Sequence, residues 1–578
     1  MEESVMAESV GKTGQSLAEA QPDTSLSRQV AATVGEEPWE KEFKLGPERV
    51  PEEQRQLALK DFQNYVYTQR SHFLGYQADQ ELDYTKDLAW MMGYHINNIG
   101  DPFTAGNFTL NSKAVEKHVL DFYAELWGAK HPHDPKDGES YWGYVLTMGS
   151  TEGNMYGMWN ARDYLAGKAL ILDPATQNLM WVQAKLEVEE DHEDDKHKFT
   201  PVAFFSEDTH YSLTKAMRVL GIKTFYELGT EQYPGQCPLT TTGQWPEEVP
   251  SLPAPDGSSI EGPGTIDIAA LDKLVRFFAA RKYPVMICLN YGTTFKGAYD
   301  PVDEVIDAIT KTLKDCHMYE REIAYGGRKE KRYGFWIHVD GALGAAYMPF
   351  LKMVENDPKY QDIFKGAKVP PFDFSKGRLV FSISMSGHKW IGAPWPCGVF
   401  MTKVKYQLRP PPMPVYVGSP DTTFAGSRSG FSPLIFWDFL AKRSYADHIA
   451  MICEAQRTAI YAEDGLKVLG KKLGKDLYVA RTPLALTVRF RQPNANLVKK
   501  YSLSTEEFQG WPKKYAHIFL LHGVTKKMVD ELLADLAQPG AFEDEQLPAS
   551  KEATPVHLEA EPNVRRLALV PTRGRGFR

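Results

Sequence analysis

Leu379-Val380-Phe381-Ser382-Ile383-Ser384-Met385-Ser386-Gly387-His388-Lys389-Trp390 reads as a buried strand that runs straight into a cluster of polar and ionisable side chains. The apolar run Leu379 to Ser384 is short, and Ser386-Gly387-His388-Lys389 follows it at once, so the reactive groups sit where a strand stops. In open α/β sheets ligands gather beyond the carboxyl ends of the strands, and this placement governs how the rest of the chain is read. A second run, Phe335-Trp336-Ile337-His338-Val339, delivers Asp340-Gly341-Ala342 in the same way. A third, Tyr141 to Thr147, is followed by Gly149-Ser150-Thr151-Glu152-Gly153-Asn154, the pattern of a strand, a glycine-flanked turn and a helix start.

Each cluster has its own chemistry. A lysine amine attacks an aldehyde only as the neutral base, and Lys389, wedged between His388 and Trp390, is a candidate for a lowered pKa. Asp340 is a candidate partner for a protonated ring nitrogen. Backbone N–H groups at the start of a helix point at an anion, Ser150 and Thr151 add hydroxyl donors, and Gly149 and Gly153 let the backbone come close. Taken singly, each has a plainer reading. Most of the 66 lysines and arginines are solvated, Asp340 also suits an N-cap or turn, and glycine turns are common. Taken together, an amine, a carboxylate and an anion cradle are what pyridoxal 5′-phosphate (PLP) chemistry asks of a protein.

From Leu74-Gly75-Tyr76 to Gly426-Ser427-Arg428-Ser429-Gly430 the chain resembles the group II PLP-dependent amino-acid decarboxylases, which include histidine, aromatic amino-acid and plant serine decarboxylases. The resemblance is carried by Ile96-Asn97-Asn98-Ile99-Gly100-Asp101-Pro102, the Gly149 to Asn154 turn, Asp208-Thr209-His210-Tyr211-Ser212, Tyr291-Gly292-Thr293-Thr294, Val339 to Ala342 and Ser386 to Lys389. The histidine and serine branch is nearest in these motifs, and bacterial enzymes acting on methionine or valine are also similar. The family implies fold type I, the aspartate-aminotransferase-like α/β fold, with a central, mostly parallel sheet, an N-terminal helical segment and a small C-terminal α+β domain. It also implies a homodimer with active sites at the subunit interface.

By the same resemblance Lys389 forms the imine, Asp340 keeps the pyridine nitrogen protonated, and His210 lies flat on one face of the ring. A histidine that merely packs at a helix start is the other reading of His210, between the strand Val202 to Ser206 and the helix Tyr211 to Val219. Gly149, Ser150, Thr151, Asn154, Thr293, Ala342, Ser386 and His388 complete the implied cofactor contacts. Leu74, Tyr76 and Gln77 match the substrate-side segment, or form a simple turn after a helix. Decarboxylation itself comes from the family, since the lysine and the aspartate serve many PLP reactions. The proton returned to Cα points to Tyr416, which could instead begin a strand, with Tyr406 and His210 as rivals; nearby, Arg409 to Pro414 replaces a looser loop and reads as a stiff connector in preference to a lid element.

With 578 residues, 43% of them hydrophobic, the chain can bury a large core and divide into two or three domains. Strands alternate with helical patterns from about Tyr141 to Thr402, which implies helices on both faces of the sheet. The expected organisation is a disordered arm at 1–45, a segment at 46–100 that packs on a partner subunit, a large PLP-binding domain at 101–410, a small domain at 411–540 and a tail at 541–578. Within the small domain, Pro433 to Val468 reads as a helix, Leu484 to Arg491 and His517 to Leu521 as strands, and Thr525 as the cap of a helix through Leu536.

No run of eighteen apolar residues and no apolar stretch near Met1 point to a membrane span or a secretory signal, so the cytoplasm is expected. Five cysteines without paired spacing argue against a disulfide framework, and a net charge of −9 argues against nucleic acid as a partner. No metal is expected. Glu187 to His197 reads as a solvated acidic insertion, and Arg573 to Arg578 as a cationic terminus. The apolar surroundings Met385, Trp390 and Trp395 favour an aliphatic substrate, L-methionine first, then valine or leucine, then histidine, serine or an aromatic amino acid. A catalytically silent PLP-fold binding protein is the alternative of another class.

Overall fold

A computed structural model describes residues 38–81, 83–172, 179–184, 196–255, 257–325, 328–375, 379–407, 413–508 and 511–542. The expected disordered arm as far as residue 37, the C-terminal tail from 543, most of the acidic insertion (185–195) and the prolines at 410–412 lie outside the described residues. The chain divides into two units, 1–71 and 72–578.

In the first unit the helix Glu52–Arg70 follows a short 3-10 turn, Pro38–Phe43. Trp39 packs its ring on Phe62 and Tyr65, with centroids at 4.9 and 5.1 Å. Ala58 is the one residue of this helix that is buried, while Leu57, Leu59, Val66 and Tyr67 stay exposed.

The second unit is built on six strands: β1 (Tyr141–Leu146), β2 (Val202–Phe204), β3 (Val285–Asn290), β4 (Phe335–Asp340), β5 (Ser382–Ser386) and β6 (Gly398–Lys403). Their order across the sheet is β1-β6-β5-β4-β3-β2. Strands β2 to β5 run parallel, and β6 is antiparallel to both β5 and β1. The 387–397 connection from β5 to β6 is too short for a crossover, so the chain must return antiparallel. Every residue of these six strands is buried. Because neighbouring residues in a strand face opposite sides, both faces of the sheet are covered, as the continuous apolar runs require. Strand β5 begins at Ser382, later than the apolar run suggests, and extends to Ser386, so the serine itself ends the strand.

The C-terminal part carries the helices Phe431–Ala441 and Tyr445–Leu473 and a three-stranded antiparallel sheet, β7 (Thr487–Arg491), β8 (Ser504–Glu507) and β9 (Lys514–Phe519), in the order β7-β9-β8. The single helix expected over 433–468 is two. Ser444 starts the second with a capping box, its hydroxyl accepting from Asp447 N while the Asp447 carboxylate accepts from Ser444 N. Thr525 caps the helix Lys526–Leu536 as expected. Leu74 is fully buried in the core of this part, where its N–H donates to the Tyr501 carbonyl and its carbonyl accepts from Phe519 N. All five cysteines are buried and free. Among the described residues no helix is long and apolar enough to cross a membrane, and no His, Cys, Asp and Glu group of metal-binding geometry is present.

Candidate active site

The helix Ser150–Leu165 leaves β1 through a turn at 147–149 that Glu152 organises. One oxygen of this buried carboxylate accepts from the N–H of Thr147 and Met148 at 2.7 and 2.9 Å, and the other accepts from Tyr144 OH at 3.0 Å. Gly149 sits at φ 70°, and a Cβ there would lie 2.6 Å from Cε1 of His388. A Cβ on Gly153 would likewise lie 2.6 Å from Cβ of Ser384, so the helix start rests directly on β5. Ser150 N donates to Ser386 Oγ at 3.0 Å, and the two serine hydroxyls are 3.0 Å apart. With Thr151 and His388 they form a donor-rich pocket end at a helix N-terminus.

Asp340 closes β4. One of its oxygens accepts from Asn154 Nδ2 at 2.7 Å and the other from Ala342 N at 3.1 Å. Burial pushes its carboxyl above the ordinary range, while the Asn154 hydrogen bond and the Lys389 charge pull it back. The amide of Asn154 is oriented from behind: its Oδ1 takes Ser384 Oγ at 2.6 Å and His338 Nε2 at 2.9 Å. That oxygen can only accept, so His338 carries its proton on Nε2, and its Nδ1 accepts from Ser382 Oγ at 2.8 Å. Burial holds His338 neutral, with its pKa lowered to about 3.

Lys389 is half-buried, and its Nζ donates to Gln77 Oε1 at 2.7 Å. Gln77 is tethered in turn by its Nε2 to the Thr294 carbonyl at 3.3 Å. Burial lowers the lysine pKa from 10.5 to about 8, against the opposing pull of Asp340. On this basis about a tenth of the amine is neutral at pH 7. His210 follows β2, where its Nδ1 meets Ser212 Oγ at 2.9 Å and receives Ser212 N at 3.3 Å. Burial, then the Lys389 charge, lowers its pKa to about 3, so it is a neutral ring. Burial also lowers His388, to about 4.

A cavity of about 340 Å³ joins these groups. Tyr76, Gln77, Ser150, Thr151, Asn154, His210, Thr293, Asp340, Ala342, Ser386, His388 and Lys389 all line it. Gly149 backs it through its contacts with His388 and Ser386. Leu74 does not reach the cavity; it anchors the segment that carries Tyr76 and Gln77. Tyr416 is 79% exposed and lies outside the cavity of its own chain. Tyr406 is buried away from it, its ring against Phe381 at 4.6 Å and Trp336 at 5.5 Å. Met385, Trp390 and Trp395, from which the aliphatic preference was drawn, do not form the substrate walls, since none of the three lines the cavity. Trp390 packs on Tyr347 and His522 at 4.8 and 4.9 Å, and Trp395 Nε1 donates to Ser432 Oγ. The walls are Met148, Tyr211, Phe295, Ser504 and Phe519 instead, with Asn290 beneath. Met148, Tyr211 and Phe295 stand inside or beside recognised motifs and were within reach of sequence reasoning. Ser504 and Phe519 come from β8 and β9, and nothing in their local sequence marks them.

The donor set fits PLP. A buried carboxylate lies at the end of one parallel strand and a half-buried, partly neutral amine beyond the next, and donors gather at a helix N-terminus beside them.

The pyridoxal-dependent decarboxylase conserved domain matches residues 260–426. Over 86% of its length the chain is 47% identical to L-methionine decarboxylase from Streptomyces sp. 590 in complex with L-methionine methyl ester, covering 97% of that chain with a TM-score of 0.79. It is 28% identical to serine decarboxylase 1 of Oryza sativa subsp. japonica, across 84% of this chain and 75% of that one. It is 27% identical to histidine decarboxylase of Solanum lycopersicum, across 83% and 88%.

Proposed function

This chain belongs to the group II pyridoxal-dependent amino-acid decarboxylases and is a PLP-dependent carboxy-lyase, and we propose that its substrate is an apolar aliphatic L-amino acid, L-methionine before valine or leucine. The observation that carries the proposal is the side-chain wall formed by Met148, Phe295 and Phe519. Beyond the cofactor-facing Asp340, the described cavity lining holds no carboxylate or arginine, so a cationic imidazole would have no counter-charge. Serine would leave that wall unfilled. The 47% identity to a methionine decarboxylase, against 27–28% to histidine and serine enzymes, supports the same order.

When bound, PLP would supply the electron sink for the pair left on Cα as carbon dioxide departs. We assign the residues as follows. Lys389 would hold the cofactor through its amine, which Gln77 holds in place. Asp340, aligned by Asn154 and His338, would hold a proton on the ring nitrogen. His210 would offer a neutral face to the ring, and Ser150, Thr151, Ser386 and His388 would hold the phosphate. Thr293 and Ala342 would border the ring, and Tyr76 would flank the substrate.

Tyr416 returns the proton to Cα, and it does so across a homodimer. Met413, Val415 and Tyr416 form an exposed apolar run that a second copy would bury, and the phenol serves nothing in its own cavity. Five buried free thiols suit the reducing cytoplasm, where we place the enzyme.

Carbon dioxide release from a panel of the common L-amino acids tests the reading. L-Methionine should give the highest kcat/KM, with 3-methylthiopropylamine as the amine product. Preference for histidine or serine would overturn the substrate, and release of pyruvate or ammonia would overturn the reaction assignment.

A further inference from the structure

Three consecutive main-chain carbonyls begin at the reactive lysine, and each is held by a group from a distant part of the chain. The carbonyl of Lys389 accepts from Asp79 N at 3.2 Å. That of Trp390 accepts from His522 Nε2 at 2.9 Å, and that of Ile391 from Tyr84 OH at 2.9 Å. The donors are themselves fixed. The Asp79 carboxylate accepts from Glu81 N and Gly523 N, each at 2.9 Å, and its Oδ2 lies 3.4 Å from His522 Nε2. One imidazole N–H is therefore shared between the Trp390 carbonyl and the Asp79 carboxylate. The His522 ring stands edge-on to Trp390 at 4.9 Å, and Tyr347 packs against the same indole at 4.8 Å. Asp79, Tyr84 and His522 do not line the cavity, so they can act on it only through the backbone they hold.

We propose that Asp79, His522 and Tyr84 form a positioning clamp that fixes the Lys389–Ile391 backbone so that the Lys389 amine meets the cofactor aldehyde. The inference rests on the reading of Lys389 given above. A lysine side chain swings about four bonds, and Gln77 restrains only its tip. Fixing the base as well confines the amine to the short reach that attack requires, where a misplacement of about 1 Å costs on the order of a hundredfold. The clamp also couples two regions that the sequence keeps far apart: residues 79–84, which lead out of the Gln77 segment, and residues 522–523, which follow β9.

The test uses full-length apoenzyme and follows the growth of the visible absorbance of lysine-bound PLP after mixing. A parallel titration measures affinity for 4′-deoxypyridoxine 5′-phosphate, which keeps the ring and phosphate but has no aldehyde. His522→Phe should slow capture about tenfold and Tyr84→Phe about fivefold, with the affinity for the deoxy analogue unchanged within about twofold. His522→Gln, which keeps an N–H donor, should recover most of the rate. Unchanged capture rates in both Phe variants, or parallel losses of rate and analogue affinity, would overturn the clamp. Tyr84→Phe removes a single oxygen and keeps the test decisive should His522→Phe not fold. Lys389→Ala should bind the analogue and give no visible band; a band there would bring down the reading of Lys389 rather than the clamp alone.

Discussion

At the scale of the residue, burial sets the chemistry of the site. Lys389 is depressed to about 8 because its charge is desolvated, so the reactive neutral amine is depleted as pH falls. Capture of PLP by the apoenzyme should therefore slow about tenfold per pH unit below about 8 and level off above it. Stopped-flow absorbance checks this, and a flat profile between pH 6 and 8 would contradict it. Asp340→Asn removes the charge that holds the ring proton, and it should lower kcat by about a hundredfold or more while the protein still binds the cofactor phosphate. Gly149→Ala drives a Cβ into His388 at a φ of 70°, so cofactor retention on dialysis should fall about tenfold. Residues inside strand-end motifs were legible in the sequence because three reactive groups followed three apolar runs. Met385, Trp390 and Trp395 misled because adjacency in sequence is not adjacency in space: the chain turns after Lys389, and Trp390 is directed into the core between Tyr347 and His522.

At the scale of the element, apolar runs marked β1, β2 and β4, each of which is buried throughout, and the lead into β5, whose own residues alternate serine with apolar side chains. Strand β8, Ser504-Thr505-Glu506-Glu507, carries no such signal and exists because β9 offers it a partner register. The break between the helices Phe431–Ala441 and Tyr445–Leu473 was equally hidden, because apolar spacing continues across it and only the Ser444–Asp447 capping box interrupts it. Two motifs far apart in the chain, Ile96 to Pro102 and Gly426 to Gly430, prove to be structural partners. Arg428 meets the buried Glu116 carboxylate, which also accepts from Asn98 Nδ2 and Val145 N, and the second guanidinium nitrogen donates to the Gly100 carbonyl. Arg428→Leu leaves Glu116 buried without its cation and should cost about 3–5 kcal/mol. Denaturant unfolding measures this, and a loss below about 1 kcal/mol would show the pair to be dispensable.

At the scale of the whole molecule, the substrate wall is shared between the large sheet and the C-terminal sheet, so selectivity is a property of their packing. For that reason the reaction class is more legible in the sequence than the substrate. Tyr416 and the helix Glu52–Arg70 both present exposed apolar side chains. If Tyr416 acts across a two-fold interface, mixing inactive Lys389→Ala and Tyr416→Phe chains should restore about a quarter of wild-type activity, because half the dimers are mixed and each holds one intact site. No restoration would place the proton donor within one chain. The role assigned to Lys389 requires a covalent bond between PLP and that lysine. Borohydride reduction of the PLP-loaded enzyme followed by peptide mass mapping measures that bond directly. The expected result is a reduced pyridoxyl adduct on the peptide containing Lys389; an unmodified Lys389 peptide, or an adduct on another lysine such as Lys296, would contradict it.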